Sequence, residues 1–261
     1  MSVALALGGM TGWRLLQRTG TAAVERFASG TQIARTTEKF AAAKDSFGSA
    51  EEIVGNYNTM KVALTAFGLE GDINNKAFIR KVLESDLGDA KSLAHRLSDK
   101  RYLKLAQAFS LGPGGTRPKP ETVVNLVRKA YVEHAFELSV GETDESLRLA
   151  LNAKRELNLL ANRKSTESTK WYTILGSPPL RSVIEGALGV PGSVAKAPID
   201  QQLDTFRAAA GRMFGSSFFD KLNDSANLDK LIETYVARSA ASNQQAGYSG
   251  PYTTALAILT G

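Results

Sequence analysis

The 261 residues are enough for one large or two small domains, and 43% of them are hydrophobic while 22% are charged, an ordinary balance for a protein with a buried core. The chain has no cysteine, which excludes disulfides, thiol nucleophiles and thiolate metal sites. Its net charge of +6 comes from scattered cations, which permits weak attraction to acidic surfaces without requiring it. Aromatic residues make up only 8% of the chain, and this scarcity favours packed helices over a β-sandwich.

The first residues are apolar, but the run is too short to cross a membrane and lacks the positive stretch that precedes a signal-peptide core. No Asp or Glu occurs before Glu25, and four glycines lie within residues 1–20. We therefore expect residues 1–30 to form a flexible segment and residues 1–20 to be dispensable for folding. The apolar side chains of this segment are predicted to order against a partner, as a docking helix or an export signal; they are Val3, Leu5, Leu7, Trp13, Leu15 and Leu16.

Helix signals follow in quick succession. Ser49 and Glu52 have the spacing of a capping box, and the helix that they begin is expected to stop at Gly68. An Asn cap then precedes a helix with Phe78 and Val82 on one face. Two further short helices are expected before residue 110.

The segment GPGGTRPKP at residues 112–120 is the clearest break in the chain. It lacks the Gly-Lys-Ser/Thr ending of a phosphate-binding loop and follows no strand, so we interpret it as a surface connector. Pro120 is expected at or just before the start of a long helix. A further helical segment opens at Asp144, and the two segments form either one long broken helix or a hairpin.

Helical spacing continues through the second half. Trp171 lies in a short helix, Pro178 begins the next, and Leu203 and Leu231 belong to two more. Residues 239–250 are polar and are predicted to be a flexible tail, and residues 252–259 form a short apolar end.

An internal echo connects the two halves. The segment IRKVLESDLG at residues 79–88 shares Arg, Val, Glu, Leu and Gly with LRSVIEGALG at residues 180–189, at a constant offset of 101. One pair is too few for a solenoid. The echo indicates either two similar helical units or a chance match between helical sequences.

These patterns predict an all-α protein, more than half helical: a multi-helix bundle with two similar helical units flanking long middle helices. The helical domain is expected over residues 31–238, with sub-units 31–111 and 120–238, followed by the tail at 239–261. The predicted core consists of Leu64, Phe67, Phe78, Val82, Leu83, Leu105, Phe109, Val127, Tyr131, Trp171, Ile174, Val183, Ile184 and Leu188. If Phe78 is fully buried, Phe78→Ala should cost about 3–5 kcal/mol.

The sequence contains no motif for catalysis. His95 and His134 are its only histidines, and neither has a second ligand at zinc spacing. Glu84 and Glu185 follow Arg80 and Arg181 by four residues, a spacing typical of surface ion pairs. We therefore predict no catalytic residue, no cofactor, no metal and no enzymatic activity.

Four basic clusters raise the question of nucleic-acid binding: Lys100 and Arg101 with Lys104, Arg128 with Lys129, Lys154 with Arg155, and Arg163 with Lys164. Such binding requires the cations on one face beside stacking aromatic residues or a helix-turn-helix. We interpret the clusters as solvated helix faces and do not expect nucleic acid as a partner.

Several segments resemble one family in their wording: VALTAFGL (62–69), KAFIRKVLES (76–85), LSDKRY (97–102), RLAL (148–151) and LRSVIEGALG (180–189). The chain thereby resembles an uncharacterised family of alphaproteobacterial proteins, domain of unknown function family twelve-seventeen, often found near flagellar genes. The resemblance begins at about residue 30 and implies a helical fold and a flagellar setting. It implies no catalytic residue.

Our leading hypothesis is a non-enzymatic helical interaction or structural protein that supports flagellar assembly or motility. Its expected partner is a protein, and flagellar components are the first candidates. We expect it in the cytoplasm or exported by a flagellar-type route, without a transmembrane segment. The alternative is a basic protein that binds nucleic acid or an anionic surface, which steeply salt-dependent binding would favour.

Overall fold

A computed structural model describes residues 8–215 and 218–248, with only the backbone given for residues 243–248. The protein is 76% helical, and no strand occurs within the described ranges. The predicted all-α, multi-helix fold is therefore confirmed.

The described part of the first half contains seven helices: α1 (Gly9–Ala28), α2 (Thr31–Ala42), α3 (Ala50–Gly55), α4 (Tyr57–Ala66), α5 (Lys76–Leu83), α6 (Leu93–Arg96) and α7 (Arg101–Phe109). The second half contains α8 (Pro120–Gly141), α9 (Glu145–Ala161), α10 (Glu167–Leu175), α11 (Pro178–Leu188), α12 (Ile199–Phe214), α13 (Phe218–Leu222) and α14 (Ser225–Tyr248). Short 3-10 turns occupy Lys44–Ser46, Glu70–Asp72 and Gly192–Lys196. Residues 112–119 form the predicted connector, and α8 begins at Pro120 as expected.

Polar caps set several helix starts. Ser49 Oγ accepts a hydrogen bond from the Glu52 amide at 3.2 Å, as the capping-box spacing predicts. The helix that it starts ends at Gly55, because Asn56 caps a new helix by accepting from the Thr59 amide at 3.0 Å. The single helix expected up to Gly68 is therefore two helices.

The chain divides into two compact units, and the division differs from the predicted one. The described part of the first unit comprises residues 19–139, and that of the second comprises residues 8–18, 140–215 and 218–248. The boundary lies near the end of α8 instead of at the connector, because Val123, Val127 and Tyr131 of α8 belong to the core of the first unit. The proposed sub-units 31–111 and 120–238 are corrected accordingly.

The first unit packs α2 to α8 around one hydrophobic core. Seven predicted core residues are buried there: Leu64, Val82, Leu83, Leu105, Phe109, Val127 and Tyr131. Phe67 and Phe78 are only partly buried, and Ile79 is the fully buried neighbour on α5. The cost predicted for Phe78→Ala required full burial and therefore does not apply.

In the second unit, α9, α11 and α14 pack against one another. Trp171 is fully buried and stacks on Phe218 at a centroid distance of 4.8 Å, with Phe206 and Phe219 meeting it edge-on. The predicted core residues Trp171, Ile174, Val183 and Ile184 are buried, and Leu188 is partly buried.

The two segments of the internal echo share a buried helix face and an ion pair, but their helices end at different positions. Both copies bury three apolar positions, Ile79, Val82 and Leu83 on α5 and Leu180, Val183 and Ile184 on α11. Both also form the expected i,i+4 ion pair, Arg80–Glu84 at 2.9 Å and Arg181–Glu185 at 2.7 Å. However, α5 ends at Leu83, whereas α11 runs to Leu188 and is closed by Gly189 in the left-handed conformation.

The N-terminal segment is helical from Gly9 onward, which corrects the predicted flexible segment over residues 9–28. Helix α1 is kinked at Gly20, where φ is 39°. Trp13 and Leu16 lie three residues apart on one face and are buried in the second unit, with 1% and 5% of their surface exposed. The Gly9 amide donates to Asp144 Oδ2 at 2.7 Å, which joins the start of α1 to the cap of α9.

The C-terminal prediction needs a similar correction, because α14 continues through the expected flexible tail as far as Tyr248. The predicted apolar end at residues 252–259 lies outside the described residues. No helix within the described ranges combines the length and apolarity needed to span a membrane.

Because Trp13 is buried, we predict that it contributes to stability, in contrast to the expectation that residues 1–20 are dispensable for folding. Trp13→Ala should lower the free energy of unfolding by about 3–5 kcal/mol, because it leaves a large cavity in the second unit. Urea unfolding followed by circular dichroism measures the change. Arg14→Ala, at an exposed position one residue further along α1, is the matched control and should stay within about 0.5 kcal/mol of wild type. Equal stability of the two variants would contradict the assignment of Trp13 to the core.

Candidate functional site

A polar cluster surrounds the turn that follows α4 in the first unit. Gly68 takes a φ of 70°, and its carbonyl accepts a hydrogen bond from Arg101 Nη1 at the start of α7. The Arg101 guanidinium also donates to both carboxylate oxygens of Asp99, at 2.7 to 3.1 Å. Burial disfavours the charged guanidinium, but the hydrogen bonds and charge of Asp99 outweigh burial and raise the Arg101 pKa above its ordinary value. The turn is therefore tied to α7 by a charged side chain.

His134 and Glu137 of α8 form the most buried polar pair of this cluster. His134 Nδ1 lies 2.7 Å from Glu137 Oε2, and both residues expose less than a tenth of their surface. His134 Nε2 faces Gly68 so closely that a Cβ at position 68 would overlap it. Glycine is therefore required at this turn for its left-handed backbone and for the space that His134 occupies.

Tyr102 completes the cluster. Its hydroxyl donates to Asp72 Oδ2 at 2.6 Å, and its ring meets Phe78 edge-on at 5.2 Å. Burial, together with the hydrogen bond to Asp72, raises the pKa of Tyr102 to about 12. The cluster thus links the 3-10 turn before α5 to α7.

The polar side chains of the cluster contact other parts of the first unit. Arg101 holds the Gly68 turn against α7, and Tyr102 joins Asp72 to α7. His134 bonds to Glu137 of its own helix and packs with Nε2 against Gly68. Across the described part of the chain, no three His, Asp or Glu side chains converge as metal ligands would. The other histidine is His95, and its Nδ1 lies 3.1 Å from Ser92 Oγ at the start of α6.

A groove between α1 and α8 is the second feature of the first unit. We call it the α1/α8 groove; its volume is about 380 Å³. Helix α1 contributes Val24, Glu25 and Ala28, and α8 contributes Asn125, Arg128, Lys129, Val132 and Glu133. Phe27 meets Phe136 edge-on at 5.6 Å, and this contact holds the two helices together beside the groove.

The groove is open and amphipathic. Val24, Ala28 and Val132 are partly buried apolar residues, while Arg128 and Lys129 are exposed. Leu126, on α8 beside Asn125, exposes 51% of its surface. Apolar residues rimmed by polar and charged ones occur at surfaces that contact other proteins.

The predicted docking residues do not form one surface. Val3, Leu5 and Leu7 lie outside the described residues, and Leu15 is partly buried. Trp13 and Leu16 are core residues of the second unit, which corrects their assignment to partner docking. Sequence reasoning noted Arg128 and Lys129 as a basic cluster but missed the groove, because its α1 side lay in a segment predicted to be flexible.

The basic clusters serve different purposes. Lys100 Nζ donates to the carbonyls of His95 and Leu97, and Arg101 belongs to the polar cluster. In the second unit, Lys154 pairs with Asp229 at 2.6 Å and Arg155 with Glu156 at 2.6 Å. Arg101, Lys154 and Arg155 are therefore each neutralised by a nearby carboxylate.

Residues 66–231, more than half of the chain, match the model of a family described as Protein of unknown function (DUF1217). The chain belongs to the DUF1217 family. The resemblance inferred from the sequence is thereby confirmed at the level of the family. No curated protein matches the DUF1217 chain.

A crystal structure of a protein from Agrobacterium tumefaciens, determined as a structural-genomics target, has the same fold as this DUF1217 chain. The TM-score is 0.73 and the sequence identity 24%, with 89% of this chain and 93% of the other covered. At this identity the likeness extends to the fold alone.

The Gly68 turn predicts a position-specific cost. Gly68→Ala should lower the free energy of unfolding by about 1–3 kcal/mol or more, because alanine is strained at positive φ and its Cβ meets His134. Gly71→Ala is the control, since a Cβ there has open space. Chemical unfolding of both variants tests this, and equal stabilities would contradict the tight approach of His134.

The raised pKa of Tyr102 predicts a dependence on pH. Because ionisation is disfavoured in the folded state, the stabilisation is fully present below pH about 10 and is lost as the pH rises towards about 12. Tyr102→Phe keeps the ring against Phe78 but cannot ionise. Wild type should therefore lose stability relative to this variant between pH 10 and 12, as measured by urea unfolding. Parallel stability curves would contradict the prediction; the other tyrosines titrate in both proteins and cancel in the comparison.

Proposed function

We propose that this protein is a non-enzymatic helical interaction protein and that it binds a partner protein through the α1/α8 groove. The observation that carries the proposal is the groove itself, which combines partly buried apolar residues with exposed charges on two helices. In many complexes, helical surfaces of this kind bind a helix or an extended segment of the partner protein.

The polar cluster supports a structural role for the chemistry-bearing side chains of the first unit. Arg101 ties the Gly68 turn to α7, Tyr102 ties Asp72 to α7, and His134 of α8 packs against Gly68. The cluster thereby supports the positions of α7 and α8, and α8 carries one side of the groove.

The alternative of nucleic-acid or anionic-surface binding is less well supported. Lys154, Arg155 and Arg101 each pair with an acidic side chain, and the cations of the groove share it with Glu25 and Glu133. Binding to single-stranded RNA or anionic vesicles that weakens steeply with salt would favour this alternative.

A flagellar role is the setting that we propose for this interaction, and its support is the resemblance to a family often found near flagellar genes. Deletion of the gene in its native bacterium should reduce filament assembly or swimming. Normal filaments together with normal swimming would contradict the flagellar setting and leave the interaction itself to the test below.

The absence of cysteine allows a site-specific test of the groove. Asn125→Cys, carrying a thiol-linked photo-crosslinker, should form protein adducts in extracts of the native bacterium. Asn158→Cys on α9 is the matched control, because it replaces the same residue type at an exposed position of the second unit. Adducts should depend on Arg128 and Lys129 and should be identified by mass spectrometry. Equal adducts from both positions, or adducts that persist in the Arg128→Glu, Lys129→Glu background, would overturn the assignment to the groove.

A further inference from the structure

The charges of the α1/α8 groove are balanced within the groove. Arg128 and Lys129 contribute two positive charges, and Glu25 and Glu133 contribute two negative ones. Within the described residues, none of these four side chains forms a hydrogen bond or ion pair with another residue. The groove therefore presents both signs of charge to whatever covers it.

The charges of the groove are not paired with one another inside α8. Lys129 and Glu133 have the same spacing and order as Arg80–Glu84 and Arg181–Glu185, which form ion pairs at 2.9 Å and 2.7 Å. Among the described residues, Lys129 and Glu133 nevertheless form no such pair. The charges of the groove thus stay available for contacts between molecules.

The order of the charges along α8 suits a copy of the same helix running in the opposite direction. Arg128 and Lys129 precede Glu133 by about one helical turn. A two-fold axis near position 131 would place Lys129 against Glu133 of a second copy, and the same pair would form again on the other side of the axis. Such a contact is self-complementary, as an isologous interface requires.

Apolar groups lie where that contact would need them. Val132 lies one turn from the cations on the groove face of α8, and Val24 and Ala28 face it from α1. Leu126 exposes 51% of its surface at the edge of the same helix. In a two-fold dimer, these apolar groups would be buried from water on both copies.

We propose that the α1/α8 groove is a homodimer interface in which two copies of α8 pair in antiparallel orientation. This inference rests on the proposed interaction function and names the partner of the same groove as a second copy of this chain. The paired contacts are cations of one copy against the glutamates of the other, around the apolar residues of the groove.

Charge reversal tests the proposal in the full-length chain. The double variant Arg128→Glu, Lys129→Glu makes the groove entirely negative, and the double variant Glu25→Lys, Glu133→Lys makes it entirely positive. In sedimentation velocity, we expect the fraction of wild-type dimers to rise with concentration. Each variant alone should have a dimer dissociation constant that is higher by about tenfold or more. An equimolar mixture of the two variants should restore dimers, because opposite charges then face each other.

Two controls separate this result from unfolding or from net charge. Lys221→Glu, Lys230→Glu changes the net charge as much as Arg128→Glu, Lys129→Glu does, but at exposed positions of the second unit, and should dimerise as wild type does. Circular dichroism, at a concentration low enough for wild type to be monomeric, should show an unchanged helical content and melting temperature in all variants. The quadruple variant, with all four charges exchanged, keeps the net charge of wild type and should dimerise again.

A monomeric wild type at all concentrations would overturn the inference, as would dimers that are insensitive to the reversals or a mixture that remains monomeric. An adduct between Asn125→Cys and a different protein, with wild type monomeric, would retain the proposed interaction function and remove the homodimer. Absence of both dimers and groove adducts would remove both.

Discussion

Most helices of the first unit are too short to be stable alone, and their mutual packing is the constraint on which the structure depends. Helices α3, α5 and α7 have six, eight and nine residues, below the roughly 12–15 at which isolated helices become even marginally stable. Each therefore needs the apolar stripe that it buries. Ile79, Val82 and Leu83 are together on such a stripe, and Leu105 and Phe109 of α7 belong to the same core.

Short helices also require tight turns, and the polar cluster follows from that requirement. The turn after α4 leaves the Gly68 carbonyl outside any helix, and Arg101 satisfies it from α7. His134 then fills the space that glycine leaves open and is held by Glu137. Closure of the backbone at the Gly68 turn thus accounts for the partly buried charge of Arg101.

At the surface of the first unit, the α1/α8 groove carries both signs of charge beside apolar residues. Some cations elsewhere pair with nearby carboxylates, as Lys44 does with Glu121 and Lys154 with Asp229. Among the described residues, the four charged side chains of the groove form no such pair. The mixture of charges motivates a protein partner over an acidic polymer, which would be repelled by Glu25 and Glu133.

The sequence by itself determined the fold class, the connector at residues 112–119 and most of the core. Helical spacing of Val82, Leu105 and Ile184 is a local property that survives in any packing arrangement, and proline and glycine act on their own backbone. The family also followed from segments that remain recognisable as text, such as KAFIRKVLES at residues 76–85.

Only the tertiary structure decided whether residues such as Trp13 and Phe78 are buried and where each unit ends. Trp13 was assigned to a flexible segment because composition measures the entropy of ordering a segment alone and does not include the second unit that buries it. The groove joins Val24 to Val132, which lie more than 100 residues apart, and no local pattern records that proximity. Contacts between distant segments depend on packing of the whole unit, so only the three-dimensional structure could bring these side chains together.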